Sequence, residues 1–266
     1  MQCSIGRGRL VSLVVLGACS VPLHASAAPC IAKSPPQASA LVELYTSEGC
    51  SSCPPADRWL SGLGKAHAMS GAVVPIALHV DYWDYIGWKD PYARRVFSLR
   101  QRELAALGGA ALVYTPQVRL QGRDFRAWGS QAFDAEVARI NAQPARAEIS
   151  LVVAPPRDDA LAVHVAARLL DPAERGSAAL YLATYENKLV SKVAAGENRG
   201  RTLRHDFVAL DWVGPIDFDE DGRVLAQRRL NLVPKSVAAD SGVIAFVQNR
   251  RTAAVLQALM LPSCPG

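Results

Sequence analysis

The sequence predicts an α/β half followed by an all-β half. Three observations carry this. Between residues 40 and 141, apolar strand-like runs alternate with longer amphipathic segments. Past Gln143-Pro144-Ala145 the pattern changes to short alternating runs separated by Gly, Pro and Asp. A Cys50-Ser51-Ser52-Cys53 pair stands directly after the first apolar run, where a strand would turn into a helix.

Residues 40–45 read as a strand and 57–63 as the helix after it. Residues 73–80 form a mostly apolar run, as expected of a buried parallel strand. Residues 90–107 look helical, with Pro91 in the first turn. Arg94, Arg95, Arg100 and Arg102 read as its solvated face. Residues 112–120 form a third strand interrupted by Pro116, and Gln121-Gly122-Arg123 turns it back. Ser130 caps a helix that runs to Asn141 on an apolar face of Phe133, Val137 and Ile140. This order is a thioredoxin-type layout with an enlarged middle. The second half offers β runs at 148–153, 161–167, 178–185, 190–193, 205–210 and 243–247, then a closing helix at 253–259. The expected organisation is a thioredoxin-like domain at 36–143 and a small antiparallel β-sandwich-like domain at 146–262.

Residues 1–27 read as an export signal: Arg7 and Arg9, then an apolar stretch at 10–16, then small residues. Ala25-Ser26-Ala27 fits signal-peptidase cleavage. Leu16-Gly17-Ala18-Cys19 fits a lipobox equally well, which would leave a lipid on Cys19 as the chain's membrane attachment. No other segment approaches the ~20 apolar residues of a membrane span. A periplasmic or secreted location follows, or a membrane-anchored lipoprotein. Of six cysteines, Cys30, Cys50, Cys53 and Cys264 remain as the working set. In an oxidising compartment four cysteines suggest two disulfides, and Cys50–Cys53 leaves Cys30–Cys264 as a staple. The formal charge is +5, and cleavage removes two of those positive charges. That balance gives no reason to expect nucleic acid as a partner.

The closely spaced cysteines are the chief chemical signal. Two thiols at this spacing can close a disulfide and reopen it. Cys50 is expected as the exposed nucleophile and Cys53 as the resolving thiol. Pro54-Pro55 suggests that the helix begins late, which would weaken its help to a thiolate. Three uses fit: thiol exchange with protein thiols or disulfides of the cell envelope, a structural bridge, or a soft metal such as copper(I) in a partner-binding module. A second ligand pair for zinc is missing, and no cofactor is implied. Thr115-Pro116 is expected to be cis and to face the dithiol. Asp81 is a candidate proton acceptor for the resolving cysteine, or else a turn residue. Thr115, Tyr82 and Trp83 are candidates for a substrate groove. His79, inside an apolar strand, reads as a core histidine. Asp217, Asp219 and Asp221 begin like a calcium loop, but Arg228 stands where the bidentate Glu belongs. The polar stretch 196–206 reads as a solvated hairpin or a recognition loop.

The run Glu43-Leu44-Tyr45-Thr46-Ser47-Glu48-Gly49-Cys50-Ser51-Ser52-Cys53-Pro54-Pro55-Ala56-Asp57 resembles the bacterial secreted family known as domain of unknown function 1223. His79-Val80-Asp81-Tyr82-Trp83-Asp84, Gly87-Trp88, Asp90-Pro91, Arg100-Gln101-Arg102 and Tyr114-Thr115-Pro116-Gln117 are similar to its further motifs. Gly196-Glu197-Asn198 and Leu203-Arg204-His205-Asp206 are similar to its C-terminal signature. The resemblance implies a thioredoxin-like N-terminal domain and a β-rich second domain. It names no reaction.

Overall fold

The computed structural model describes residues 28–67, 71–232 and 237–262. The export segment with Cys19, and Cys264 of the expected Cys30–Cys264 bridge, lie outside the described residues. The first half comprises β1 (Cys30–Lys33), β2 (Ala40–Thr46), α1 (Pro54–His67), β3 (Val73–His79), a 3-10 turn (Asp81–Ile86), α2 (Arg95–Leu107), β4 (Gln117–Leu120), β5 (Arg123–Asp124) and α3 (Gln131–Asn141). The second comprises β6 (Ala147–Val153), β7 (Ala160–Leu169), β8 (Ala178–Glu186), β9 (Leu189–Lys192), β10 (Thr202–His205), β11 (Val208–Asp217), β12 (Arg223–Asn231), β13 (Ser241–Asn249) and β14 (Val255–Pro262). The architecture is mixed α/β and mostly sheet.

An eight-stranded sheet runs β14-β13-β8-β11-β3-β2-β4-β5. Every residue of β2 and β3 is buried, as a parallel pair covered on both faces requires. Val208 of β11 pairs in parallel with Ala77 of β3, so segments 36–143 and 146–262 contribute to one continuous sheet. A second, antiparallel sheet runs β1-β6-β7-β12. Side chains on β8 and β13 alternate between two cores, as the strand period dictates. Leu180, Leu182, Val243, Ala245 and Val247 pack with Ile149, Leu151, Val163 and Val165 of the smaller sheet. Tyr181, Ala183, Ile244 and Phe246 join the core of β2, β3 and the helices.

Several local expectations are corrected. Residues 253–259 do not form a helix: β14 pairs along β13, and a short apolar run fits either element until a partner strand decides. The expected strand 205–210 is broken at Phe207, whose φ is +57°, so His205 ends one strand and Val208 begins another. The strand expected at 112–120 begins only at Gln117, after the proline that lacks a ladder donor. Helix α2 starts at Arg95 rather than 90, and Asp90 instead spends its carboxylate on neighbouring backbone and side chains. Helix α1 starts at Pro54, not late, since a first turn needs no proline N–H. Arg100 is not solvated. It is 6% exposed, bonds Glu43 and Gln248, and lies over the rings of Tyr181, Trp212 and Phe246.

Candidate functional site

Cys50 and Cys53 form a disulfide between the end of β2 and the start of α1, with Cα atoms 5.5 Å apart. The Cys53 carbonyl accepts from the Ala56 and Asp57 N–H groups, which fixes it at the helix entrance. Ser51 and Ser52 are exposed, and the Ser52 hydroxyl lies 3.3 Å from Cys50 Sγ. Cys50 itself is only 1% exposed and Cys53 fully buried. The expected exposed nucleophile is therefore covered.

The turn between β9 and β10 packs on the cysteine loop. Asn198 Nδ2 donates to the carbonyls of Glu48 and Cys50, each at 2.8 Å. Glu197 accepts from the Ser51 N–H at 2.9 Å, a bond that holds its carboxyl below the usual carboxylate range. Gly196, at φ +72°, lets this turn press against Ile86, and an added Cβ there would come within 3.0 Å of that side chain. The turn at 196–198 is therefore a latch docked on the cysteine loop through buried Asn198, while Glu197 stays exposed.

Behind the disulfide lies a buried polar cluster drawn from separate segments. His79 Nδ1 meets Asp90 at 2.7 Å, and the same Asp90 oxygen accepts from the Glu48 N–H. Glu48 accepts from Trp88 Nε1 at 2.8 Å and meets His205 Nε2 at 3.0 Å. Asp57, one helical turn past Cys53, accepts from the Thr46 hydroxyl at 2.8 Å and lies 3.9 Å from His205 Nδ1. The His79 and His205 rings meet edge to face at 5.0 Å. Their remaining nitrogens, His79 Nε2 and His205 Nδ1, have no hydrogen-bond partner. Burial raises the Asp57 pKa, partly countered by His205, His79 and the Thr46 hydroxyl. Burial alone would lower His79 and raise Asp90, but their mutual charge wins, leaving His79 raised and Asp90 lowered. A cavity of about 180 Å³, lined by Pro54, Asp57, Arg58 and residues 202–205, opens beside Asp57 and His205.

Other expected site residues fall differently. Asp81 accepts from the Ser98 hydroxyl, whereas Asp57 lies in the cluster one helical turn past Cys53. The Thr115–Pro116 bond is cis. Trp83 donates from Nε1 to Thr115 Oγ1 at 2.8 Å and packs its Cβ beside Gly49, tying the Pro116 loop to the cysteine turn. Tyr82 donates to Gln101. The groove at Pro116, about 390 Å³, is lined by Tyr114, Arg126 and Trp128 rather than by Tyr82 and Trp83. Asp217, Asp219 and Asp221 do not converge. Asp217 pairs with Arg250 and Asp219 caps Arg223 as the chain crosses from the large sheet to the small one. Among the described residues no group of three His, Cys, Asp or Glu side chains is arranged to hold a metal ion. No helix among them is long and apolar enough to cross a membrane.

Sequence reasoning missed Glu48, Asp57, Asp90 and His205 as a cluster. One local signal was available: Asp57 stands four residues after Cys53, so a helix entered at Cys53 brings the Asp57 N–H onto the Cys53 carbonyl.

No curated protein matches the sequence. A structural-genomics protein from Agrobacterium tumefaciens is similar in fold, with TM-score 0.60, 24% identity, and coverage of 86% of this chain and 96% of that one. HBP35 of Porphyromonas gingivalis is similar with TM-score 0.63, 15% identity, and coverage of 86% and 76%. At these identities the likeness concerns fold alone. The family model described as protein of unknown function (DUF1223) matches residues 41–248, and the chain belongs to that family.

Proposed function

We propose that this protein is an exported, thioredoxin-like thiol–disulfide exchange protein acting on protein thiols or disulfides of the cell envelope. The observation that carries the reading is the Cys50–Cys53 disulfide at a strand-to-helix turn, with a buried carboxyl one turn behind Cys53. Cys50 exchanges with the partner and Cys53 resolves. The Ser52 hydroxyl beside Cys50 Sγ favours a thiolate there, as does the adjoining helix N-terminus. Asp57, buried one turn past Cys53 with its pKa raised by desolvation, is the proton acceptor for Cys53 in place of Asp81. A partner reaches Cys50 only after the Glu197–Asn198 turn lifts. The groove of Tyr114, Pro116, Arg126 and Trp128 offers an apolar seat for the partner's chain.

The near-complete burial of both cysteines favours a second reading, a static bridge in a partner-binding envelope module. Substituting Cys53→Ala separates the two. Exchange predicts mixed disulfides trapped on Cys50 in the envelope. A static bridge predicts none, and only a loss of stability of about 2–5 kcal/mol.

A further inference from the structure

The resolving sulfur needs a proton each time it leaves the disulfide and must lose one each time it re-forms it. Asp57 is placed to handle that proton, is 7% exposed and lines the same cavity as its neighbour. The group next to it is His205, 2% exposed. His205 Nε2 is engaged by Glu48 at 3.0 Å, so the neutral ring keeps its hydrogen there and turns a lone pair at Nδ1 toward Asp57. That Nδ1 is buried and unpartnered. The protonated ring would instead point an N–H at the same carboxylate. Either state of His205 thus has a complementary state of Asp57. The 3.9 Å separation is of the long kind that tightens in a reacting complex. Both residues line the cavity that opens between Arg58 and Arg204.

We propose that His205 relays protons between Asp57 and solvent in this cavity, an assignment that rests on the exchange reading. Written from the disulfide, a partner thiolate attacks Cys50 Sγ, the Cys50–Cys53 bond breaks, and the electron pair leaves on Cys53 Sγ. The Asp57 carboxyl gives that sulfur a proton. The Asp57 carboxylate takes its replacement from protonated His205, which is refilled from solvent by the proton the partner thiol released. A second partner thiolate then displaces Cys50. Two partner thiols become one disulfide, and Cys50 and Cys53 gain the two electrons and two protons. The reverse direction runs the relay backwards.

The charged and titratable groups facing His205 are Glu48 from the loop after β2, Asp57 and Arg58 from α1, and His79 from β3. Tyr92 and, through His79, Asp90 face it from the segment before α2, and Arg204 adjoins it on β10. Glu48 and Asp57 flank the ring directly, at 3.0 Å from Nε2 and 3.9 Å from Nδ1.

The test mixes reduced protein with 5,5′-dithiobis(2-nitrobenzoate) and follows chromophore release by stopped flow across pH. The first phase reports capture of Cys50, and the second reports Cys53 closing the disulfide. His205→Gln keeps an N–H for Glu48 but cannot titrate. The relay predicts a second phase slowed at least about tenfold, with one ionisation lost from its pH profile. His205→Ala should show the same defect, and added imidazole should restore the rate, which a structural role would not allow. The imidazole arm decides the matter should the Gln variant fail to fold. A second phase within twofold of wild type in folded variants, while Asp57→Asn slows it, would overturn the relay and leave Asp57 trading protons directly with water. Absence of envelope mixed disulfides trapped on Cys50 in the Cys53→Ala variant would overturn the exchange reading, and the relay with it.

Discussion

Removing the Asn198 side chain should expose the disulfide without touching either cysteine. Asn198 holds the cysteine turn by two hydrogen bonds at 2.8 Å, to the Glu48 and Cys50 carbonyls. Both carbonyls regain water when the latch lifts, so the net worth of each bond is about 1 kcal/mol. Asn198→Ala therefore favours the lifted state by about 2 kcal/mol, roughly a 30-fold rise in its population. Truncation also takes the Asn198 donor from the Glu48 carbonyl under the closed latch, which pushes in the same direction, while the Cys50 carbonyl keeps the Cys53 N–H. If reduction proceeds through the lifted state, its rate follows that population. The assay is the rate of disulfide reduction by excess phosphine, quenched by alkylation and read by peptide mass at Cys50 and Cys53. The expected result is a rate increase of about 10- to 30-fold, with circular dichroism unchanged. Glu197→Ala, which removes a bond at an exposed carboxylate, should give a smaller rise. A rate within twofold of wild type for Asn198→Ala would refute the latch.

Three further outcomes follow from the buried charges. Asp57 has a raised native pKa, so as pH climbs from the ordinary carboxylate value to the raised one the unfolded chain ionises first and the native state loses stability. The Tm of Asp57→Asn minus that of wild type should therefore rise through this window and then level off; a constant difference from about pH 3 to about pH 8 would contradict it. The His79–Asp90 pair acts the other way: its stabilisation is lost as pH falls through Asp90's lowered pKa and as pH rises through His79's raised one. Asp90→Asn should flatten both limbs in urea unfolding against pH, and limbs that persist would show that other groups set them. Arg100→Leu strands Glu43 without its buried partner and should cost about 3–5 kcal/mol in urea unfolding, whereas a loss under about 1 kcal/mol would show the pair to be dispensable.

What was legible in the sequence was local. The cysteine pair after an apolar run, the mostly apolar runs of β2 and β3 and the Ser130 cap of α3 each depend on residues a few positions apart. What escaped depended on distant partners. Asn198 reaches the Cys50 carbonyl across 148 positions, and His205 reaches Glu48 across 157. Nothing in a hairpin's composition distinguishes a docked turn from a solvated one. Asp81 was the natural guess for an acid near Cys53 because it follows a strand's carboxyl end. The 3-10 turn carries Asp81 to Ser98, while helix α1 places Asp57 one turn past Cys53, its N–H on the Cys53 carbonyl. The run at 253–259 escaped because apolar residues on both faces of a buried strand have no helical or alternating signature to separate them. Arg100 looked solvated because an aromatic cage built from β8, β11 and β13 is invisible from α2 alone.

The central claim is that Cys50 and Cys53 exchange rather than brace the fold. A glutathione redox titration, read by alkylation and peptide mass at both cysteines, tests it most directly. The account predicts a midpoint between about −120 and −270 mV, in the range of exchanging dithiols. A midpoint well below about −300 mV would contradict it and make the pair a structural disulfide.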